Sequence, residues 1–191
     1  MKIGIDISQL VYQRTGVANY LQRLIKALLA QDKENEYVFF FSSLRGKLEP
    51  QFIKEITGSR VEIKQFKFPP TALDILWNKL HIVPIEWFIG DVDVFISSDW
   101  TQAPTQRAKR VTILYDLIVY KYPEETHNKT EFSLMNLLVS PNIVASQKRR
   151  LMWVKKECDA ILCISESTKK DAEKILGIEE NRLHVIRAGV N

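Results

Sequence analysis

Short apolar runs alternate with amphipathic stretches along most of the chain. Most runs are too apolar to have one face in water, which indicates strands buried on both faces of a sheet. Between them, apolar residues recur at helical spacing, beginning with Val17, Leu21 and Leu24. The predicted strands are Lys2–Ile7, Tyr37–Ser42, Val61–Phe66, Val92–Ser97, Val111–Leu114, Ala160–Ile164 and Leu183–Ile186.

Helical patterns separate most of these strands. The predicted helices cover residues 17–29, 48–56, 73–80, 143–157 and 165–176. Alternation of this kind predicts a Rossmann-like α/β fold with a doubly wound, mostly parallel, seven-stranded sheet. The length fits one domain over residues 1–191. The periodicity fails between Tyr115 and Pro141, which indicates a long functional excursion.

Composition narrows the class of protein. No run of eighteen apolar residues occurs, so no membrane-spanning helix is predicted. Asp6 stands where a signal peptide would need its apolar stretch, so we expect a cytoplasmic protein. The two cysteines, Cys158 and Cys163, fit small buried hydrophobic residues better than a disulfide or a metal site.

The charge of the chain is mildly positive. There are 27 Lys and Arg residues against 23 Asp and Glu, a net charge of +4, which suits phosphate-bearing ligands or an anionic membrane surface without deciding between them. Basic residues cluster at 148–150 and 155–156, around Trp153. This cluster fits either a solvated helix face or a surface that contacts a membrane. Trp77 and Trp87 fit such a surface or the core.

The loop after the first strand is a candidate phosphate site. Ligands of doubly wound sheets bind at the carboxyl ends of the strands. The N–H groups of Gly16 and Val17 can approach a phosphate at the positive end of the first long helix, and Arg14 would add a formal charge. A single glycine also fits a plain turn into a helix, and it lacks the G-x-G-x-x-G pattern of nicotinamide-binding loops.

Acidic residues follow two further strands at the same predicted edge. Asp116 comes directly after the fifth strand, beside Tyr115, and Asp99 follows the fourth. Each carboxylate can bind a ligand or hydrogen-bond its own loop. His127 lies in the aperiodic segment, where a histidine is a candidate for binding or catalysis. Ser165 is instead predicted to be a helix N-cap.

Several short segments occur in a characteristic order along the chain. They are Ile3-Gly4-Ile5-Asp6 followed by Thr15-Gly16-Val17-Ala18-Asn19-Tyr20, Tyr115-Asp116-Leu117 leading to Tyr122-Pro123-Glu124, Cys158-Asp159-Ala160-Ile161-Leu162-Cys163-Ile164-Ser165-Glu166-Ser167-Thr168, and Val185-Ile186-Arg187-Ala188-Gly189-Val190-Asn191. Together they resemble, nearly end to end, the N-terminal half of the family 4, or group 1, retaining glycosyltransferases, which have the GT-B fold.

The resemblance implies separate roles for two domains. In that family the N-terminal domain mainly binds the acceptor, the C-terminal domain binds most of the nucleotide sugar, and transfer occurs between them without a bound metal. Gly16 and Val17 would then offer N–H groups to the donor diphosphate. Asp116 matches the aspartate of the family's His-Asp pair. We therefore expect a nucleotide-diphosphate sugar as donor substrate, no cofactor and no metal.

Three departures qualify the resemblance. Tyr115 replaces the histidine of the pair, and a phenol with a pKa of about 10 does not exchange protons near neutral pH as imidazole does. Arg187-Ala188 stands where Pro-Asn is usual. The donor-binding half, with its paired glutamates, is absent from residues 1–191, and we expect either a truncated chain or a separately encoded half.

Two functional interpretations follow. In the first, the chain is the acceptor-binding domain of an enzyme that transfers a hexose such as mannose to a glycan or lipid-linked acceptor, inactive until the donor-binding half is supplied in cis or in trans. In the second, it is a non-catalytic module that docks a separate donor-domain protein. A nucleotide-binding Rossmann protein unrelated to sugar transfer is disfavoured.

The expected partners follow from the first interpretation. They are the nucleotide sugar, the acceptor, the donor domain and, through a peripheral contact, the inner face of a membrane. A homodimer is a further expectation, because a large uncovered apolar face tends to find a partner. No nucleic-acid partner is predicted.

Overall fold

The computed structural model describes residues 1–122 and 143–187, and it contains a seven-stranded sheet. The strands are β1 (Lys2–Asp6), β2 (Glu36–Ser42), β3 (Val61–Phe66), β4 (Val94–Ser97), β5 (Lys109–Leu114), β6 (Ala160–Cys163) and β7 (Leu183–Val185). Their order across the sheet is β3-β2-β1-β4-β5-β6-β7, and the six pairings are all parallel. The predicted seven-stranded α/β fold is confirmed.

Helices connect most of the strands, as the periodicity predicts. They are α1 (Gly16–Gln31), α2 (Pro50–Ile56), α3 (Pro70–Leu73), α4 (Glu86–Ile89), α5 (Ile118–Lys121), α6 (Ile143–Glu157) and α7 (Glu166–Asp171). Wider, π-type turns extend α3 over Asp74–Lys79 and α7 over Ala172–Leu176. Short 3-10 turns cover Ser8–Val11 and Glu180–Arg182. No helix in the described residues is long and apolar enough to cross a bilayer.

Apolar clusters cover both faces of the sheet. Phe39 of β2 shares a buried cluster with Leu21 and Ile25 of α1. The next residue, Phe40, belongs to a different cluster and packs against Trp77, with ring centroids 5.5 Å apart. Because successive strand side chains point to opposite faces, helices lie on both sides of β2. A third cluster joins β5 and β6 to α6 and α7.

Local hydrogen bonds fix where α1 begins. Thr15 is the N-cap, and its hydroxyl accepts a hydrogen bond from the N–H of Ala18 at 3.2 Å and donates one to the carbonyl of Tyr12 at 3.0 Å. Leu21 and Ile25 then bury one face of the helix against the sheet. The start of α1 is thereby held next to the loop that leaves β1.

The far half of the sheet has its own helix caps. Ser165 is the N-cap of α7, as predicted, and its hydroxyl accepts from the N–H of Thr168 at 3.1 Å. The π-type extension of α7 ends at Gly177, whose φ of 64° is left-handed. The Arg182 guanidinium donates to the carbonyls of Val154 and Cys158 near the end of α6. A cation suits the negative end of a helix dipole.

Candidate functional site

The winding of the chain reverses between β1 and β4. β2 and β3 lie on one side of β1, and the later strands extend from its other side through β4. At such a reversal a crevice opens outside the carboxyl ends of the two strands, and ligands bind there. A small cavity of about 30 Å³ lies at this point, and Asp6, Ser8, Trp100 and Thr101 contribute to its lining.

Tyr115 lies at this edge, directly after β5, with its side chain turned into the protein. It is only 6% exposed, and its ring meets that of Tyr20 edge-on, with centroids 5.6 Å apart. Neither its hydroxyl nor the buried hydroxyl of Ser98 makes a hydrogen bond of good geometry in the described residues. The Ser98 hydroxyl is nevertheless close enough to act on the phenol as a hydrogen-bonding neighbour, which lowers the pKa of Tyr115 against the larger effect of burial. Burial, reinforced by the negative charge of Asp99, raises the pKa of Tyr115 well above the usual value of a phenol. The hydroxyl therefore stays protonated and can donate or accept a hydrogen bond.

Two carboxylates accompany Tyr115. Asp99 is partly buried, and its pKa is raised by that burial, lowered by Arg150 and raised again by the charge of Asp116. Asp116 is exposed, and one of its oxygens accepts a hydrogen bond from the N–H of Ile118 at 3.0 Å. Asp116 thus shapes the loop that leads into α5, while its carboxylate remains open to solvent. The sequence-predicted Asp99, Tyr115 and Asp116 are brought to one edge.

Arg150 of α6 lies beneath these residues. It is 1% exposed, and one terminal nitrogen donates to the carbonyl of Ser98 at 2.7 Å, to the hydroxyl of Thr112 at 2.8 Å and to the carbonyl of Ile113 at 3.1 Å. The other terminal nitrogen lies 3.9 Å from the Asp99 carboxylate. Burial lowers the pKa of the guanidinium, and Asp99 opposes that shift. The arginine thus joins the ends of β4 and β5.

Two further contacts place the Tyr115 main chain and ring. The hydroxyl of Thr168, in the first turn of α7, donates to the carbonyl of Tyr115 at 3.0 Å. Tyr20 lies one turn into α1, and its hydroxyl donates to the carbonyl of Ile186 at 2.9 Å. The helix that begins at Gly16 is therefore tied both to Tyr115 and to the segment after β7.

The structure places Arg14 of the candidate phosphate loop apart from Gly16 and Val17. Gly16 and Val17 occupy the first turn of α1, and their N–H groups have no acceptor among the described residues. A side chain at Gly16 would meet nothing within 4 Å, so the backbone there is open. Arg14 has a left-handed φ of 75° and lines a separate cavity of about 350 Å³ with Asn19 and Glu49. Arg14 therefore lies in a different place from the Tyr115 edge.

The remaining predictions concern His127, the two cysteines and a metal site. His127 lies outside the described residues. Cys158 and Cys163 are buried free thiols, and burial raises their pKa values to about 12 and about 11. No group of three or more His, Cys, Asp or Glu side chains in residues 1–122 and 143–187 is arranged to hold a metal ion. The absence of a metal requirement stays a prediction.

Sequence reasoning missed two buried charged residues. Arg150 was grouped with a basic surface cluster, although Gln147, Arg150, Leu151 and Val154 follow the helical spacing of a buried face. Asp6 is almost fully buried at the end of β1; burial raises its pKa, and the N–H of Ser8 donates to its carboxylate at 2.9 Å. The position of Arg150 on that face was the available signal.

The sequence of the chain matches a known family. The sequence model of Glycosyltransferase Family 4 matches residues 14–191, nearly the whole chain. The chain belongs to this family. No curated protein sequence matches it.

A solved structure shows the same fold. It is UGT2 of Phytolacca americana, complexed with UDP-2fluoro-glucose and pterostilbene, which superposes with a TM-score of 0.51 at 10% sequence identity. The match covers 99% of this chain and 52% of UGT2, so this Family 4 chain spans about half the length of that protein. The shared architecture is that of a GT-B N-terminal domain.

Replacing the buried guanidinium tests its bridging role. Arg150→Met removes a donor from the carbonyls of Ser98 and Ile113 and from the Thr112 hydroxyl. We expect the free energy of unfolding to fall by about 2–4 kcal/mol, measured by urea denaturation. Lys148→Met, at an exposed position of the same helix, is the control and should change stability by less than about 0.5 kcal/mol. Equal effects of the two substitutions would contradict the bridge.

The unpartnered hydroxyl of Tyr115 gives a pH-dependent prediction. Because burial raises its pKa in the folded state, ionising this phenol is harder in the folded than in the unfolded chain. The group therefore leaves the free energy of unfolding unchanged below about pH 10 and lowers it as pH rises further. Tyr115→Phe should be neutral or stabilising at pH 7, and its stability should decline less steeply above pH 10 than that of the wild type, in urea titrations.

Tyr12→Phe, at an exposed tyrosine, is the matched control and should leave the pH profile unchanged. A loss of more than about 1 kcal/mol for Tyr115→Phe at pH 7 would mean that the hydroxyl has a partner after all.

Proposed function

We propose that the chain is the acceptor-binding half of a glycosyltransferase that uses a nucleotide-diphosphate sugar. The observation that carries the proposal is the convergence of Asp99, Tyr115 and Asp116 with the start of α1 at the carboxyl edge of a Family 4 domain. Sugar transfer needs donors for a departing diphosphate and polar groups that orient an acceptor hydroxyl. This edge offers both kinds of group.

The N–H groups of Gly16 and Val17 are proposed to meet the donor diphosphate. They lie at the positive end of a 16-residue helix and lack acceptors among the described residues. Negative charge grows on the diphosphate as the sugar leaves, so fixed N–H donors would stabilise the transition state more than the ground state. We propose that these donors serve in place of a metal ion.

Asp99 and Asp116 are proposed to orient the acceptor and the sugar hydroxyls. The Arg150 guanidinium lies 3.9 Å from the Asp99 carboxylate on its buried side, and Asp116 is exposed. The protonated Tyr115 hydroxyl, next to the hydroxyl of Ser98, would add a neutral hydrogen-bonding group rather than a proton shuttle. His127 remains a proposed acceptor contact on sequence grounds alone.

The finer features of the reaction rest on the resemblance in sequence. They are transfer of a hexose such as mannose, retention of anomeric configuration, and a glycan or lipid-linked acceptor, which would bring the domain to a membrane surface. A donor-binding half is also proposed to be required. The cavity at the reversal of the sheet holds only about 30 Å³, far below the roughly 300 Å³ or more of a typical ligand pocket.

One observation favours a second candidate function. Tyr115 replaces the expected histidine and is buried, and burial raises its pKa further above pH 7. A domain whose central residue cannot exchange a proton near pH 7 would suit a non-catalytic module that docks onto a separate donor-domain protein.

An activity assay distinguishes the two candidates. The chain is incubated with a panel of nucleotide-diphosphate hexoses and acceptors, alone and with a Family 4 donor-binding domain, and nucleoside diphosphate release and the anomeric configuration of the product are measured. We expect transfer only when both halves are present. Robust transfer by the chain alone would refute the need for a second half, and silence in both arms with a folded domain would favour the docking module.

A single missing N–H tests the diphosphate contact. Gly16→Pro deletes the N–H of the first residue of α1, where proline is tolerated because Thr15 before it has an extended backbone. In the assembled enzyme we expect kcat/KM for the donor to fall by about tenfold to a hundredfold. Gly16→Ala keeps the N–H and places its Cβ in open space, so it should retain activity within about twofold. Equal activity of the two variants would exclude this contact.

A further inference from the structure

A second, larger groove lies at the same edge of the sheet, beyond the ends of β2 and β3. Its volume is about 650 Å³, within the usual range of ligand sites. Apolar side chains contribute much of the lining, namely Phe41, Leu48, Ile53 and Phe66. Asp99, Tyr115, Asp116, Gly16 and Val17 are not among the described residues that line it.

Four cations surround this apolar lining: Arg45, Lys47, Lys54 and Lys67. No aspartate or glutamate of residues 1–122 and 143–187 lines the groove. None of the four makes an ion pair or a side-chain hydrogen bond with another described residue, although Lys26 and Lys121 elsewhere pair with carboxylates. Four unpaired cations around apolar surface are complementary to a ligand that joins an anionic group to an apolar chain.

The loop after β2 presents an apolar side chain among these cations. Leu44 is 53% exposed and stands directly before Arg45. The loop is held in place, because the N–H of Gly46 donates to the Ser43 hydroxyl at 2.9 Å and a Cβ at Gly46 would overlap Val11. Leu44 is therefore exposed on an anchored turn.

Part of the basic cluster of α6 is used in packing. Arg150 is buried, Arg149 pairs with Asp74 at 3.1 Å, and Trp153 stacks on His81 with ring centroids 3.7 Å apart. Trp77 is buried as well. Lys148, Met152, Lys155 and Lys156 nevertheless stay exposed on α6, and Trp87 is exposed as well, but none of these residues belongs to the groove beyond β2 and β3.

We propose that the groove docks the protein on an anionic membrane surface. Leu44 and one lipid chain share the apolar floor, and the four cations face lipid phosphates. Ser43 lines both this groove and the cavity beside Asp6, so a lipid held here lies next to the predicted transfer edge. The proposal locates the membrane contact of the proposed enzyme, but it rests on the groove and holds whether or not sugar is transferred.

Vesicle co-sedimentation tests the docking. The chain is mixed with vesicles of equimolar phosphatidylglycerol and phosphatidylcholine, or of phosphatidylcholine alone, over a range of salt. We expect binding to the anionic vesicles that weakens as salt rises. Combined replacement of the four cations by Gln should weaken the partition at least about tenfold, and Leu44→Ser should weaken it by about tenfold.

A charge-matched control separates the groove from net charge. It carries Gln at Lys79, Lys155, Lys170 and Lys174, which are exposed and lie away from the groove. This variant also loses four positive charges, and we expect its partition to change by less than about twofold. Equal weakening by the two sets, or no preference for anionic vesicles, would overturn the proposal, as would binding of soluble inorganic phosphate without vesicle binding.

Insertion of Leu44 has its own readout. Cys158 and Cys163 are buried, so a Leu44→Cys variant can be labelled selectively with an environment-sensitive fluorophore. Its emission should shift to the blue on anionic vesicles, and the same label at Ile175 should not shift. A shift at both positions or at neither would contradict docking through this loop.

Discussion

The buried guanidinium of Arg150 determines the geometry of the candidate site. It donates to carbonyls at the ends of two neighbouring strands, Ser98 after β4 and Ile113 in β5. A buried cation costs much free energy unless it is hydrogen-bonded, and one terminal nitrogen of Arg150 makes all of its hydrogen bonds, since Nε has no acceptor in the described residues. Loss of the strand-end carbonyls would leave the charge without acceptors, so the two strand ends and α6 must keep this arrangement. Asp99 and Tyr115 follow those strand ends within two residues. Their positions therefore depend on a residue that reaches neither solvent nor, on this account, a substrate.

The parallel sheet explains why candidate residues from distant parts of the sequence meet at one edge. Every strand runs in the same direction, so the loops after β1, β4 and β5 all leave on the same side. That edge holds three kinds of group together: the protonated Tyr115 phenol, the Asp99 and Asp116 carboxylates, and the N–H groups that begin α1, which have no acceptor in the described residues. The groove beyond β2 and β3 adds cations and apolar surface on the same side. One face of the domain would thus meet the donor, the acceptor and the lipid.

Most of the fold was predictable because it depends on local periodicity. The seven apolar runs became seven strands, and the cap at Ser165 lies where turn chemistry placed it. The site was less predictable because burial of a charged residue depends on what packs against it. Arg150 looked like part of a basic surface until β4 and β5 supplied its partners. The hydrogen bond that occupies Asp116 and the separation of Arg14 from Gly16 likewise depend on loop geometry that the sequence does not reveal.

Hydrogen–deuterium exchange on the chain paired with a donor-binding domain tests the central claim most directly, because it locates the ligand. On addition of a nucleotide-diphosphate sugar and acceptor, we expect slower exchange in residues 16–20, 98–101 and 114–118, with the α2 region changed less. Protection from exchange confined to other parts of the chain would contradict a transfer site at the ends of β1, β4 and β5. An absence of any protection while sugar is being transferred would contradict it as well.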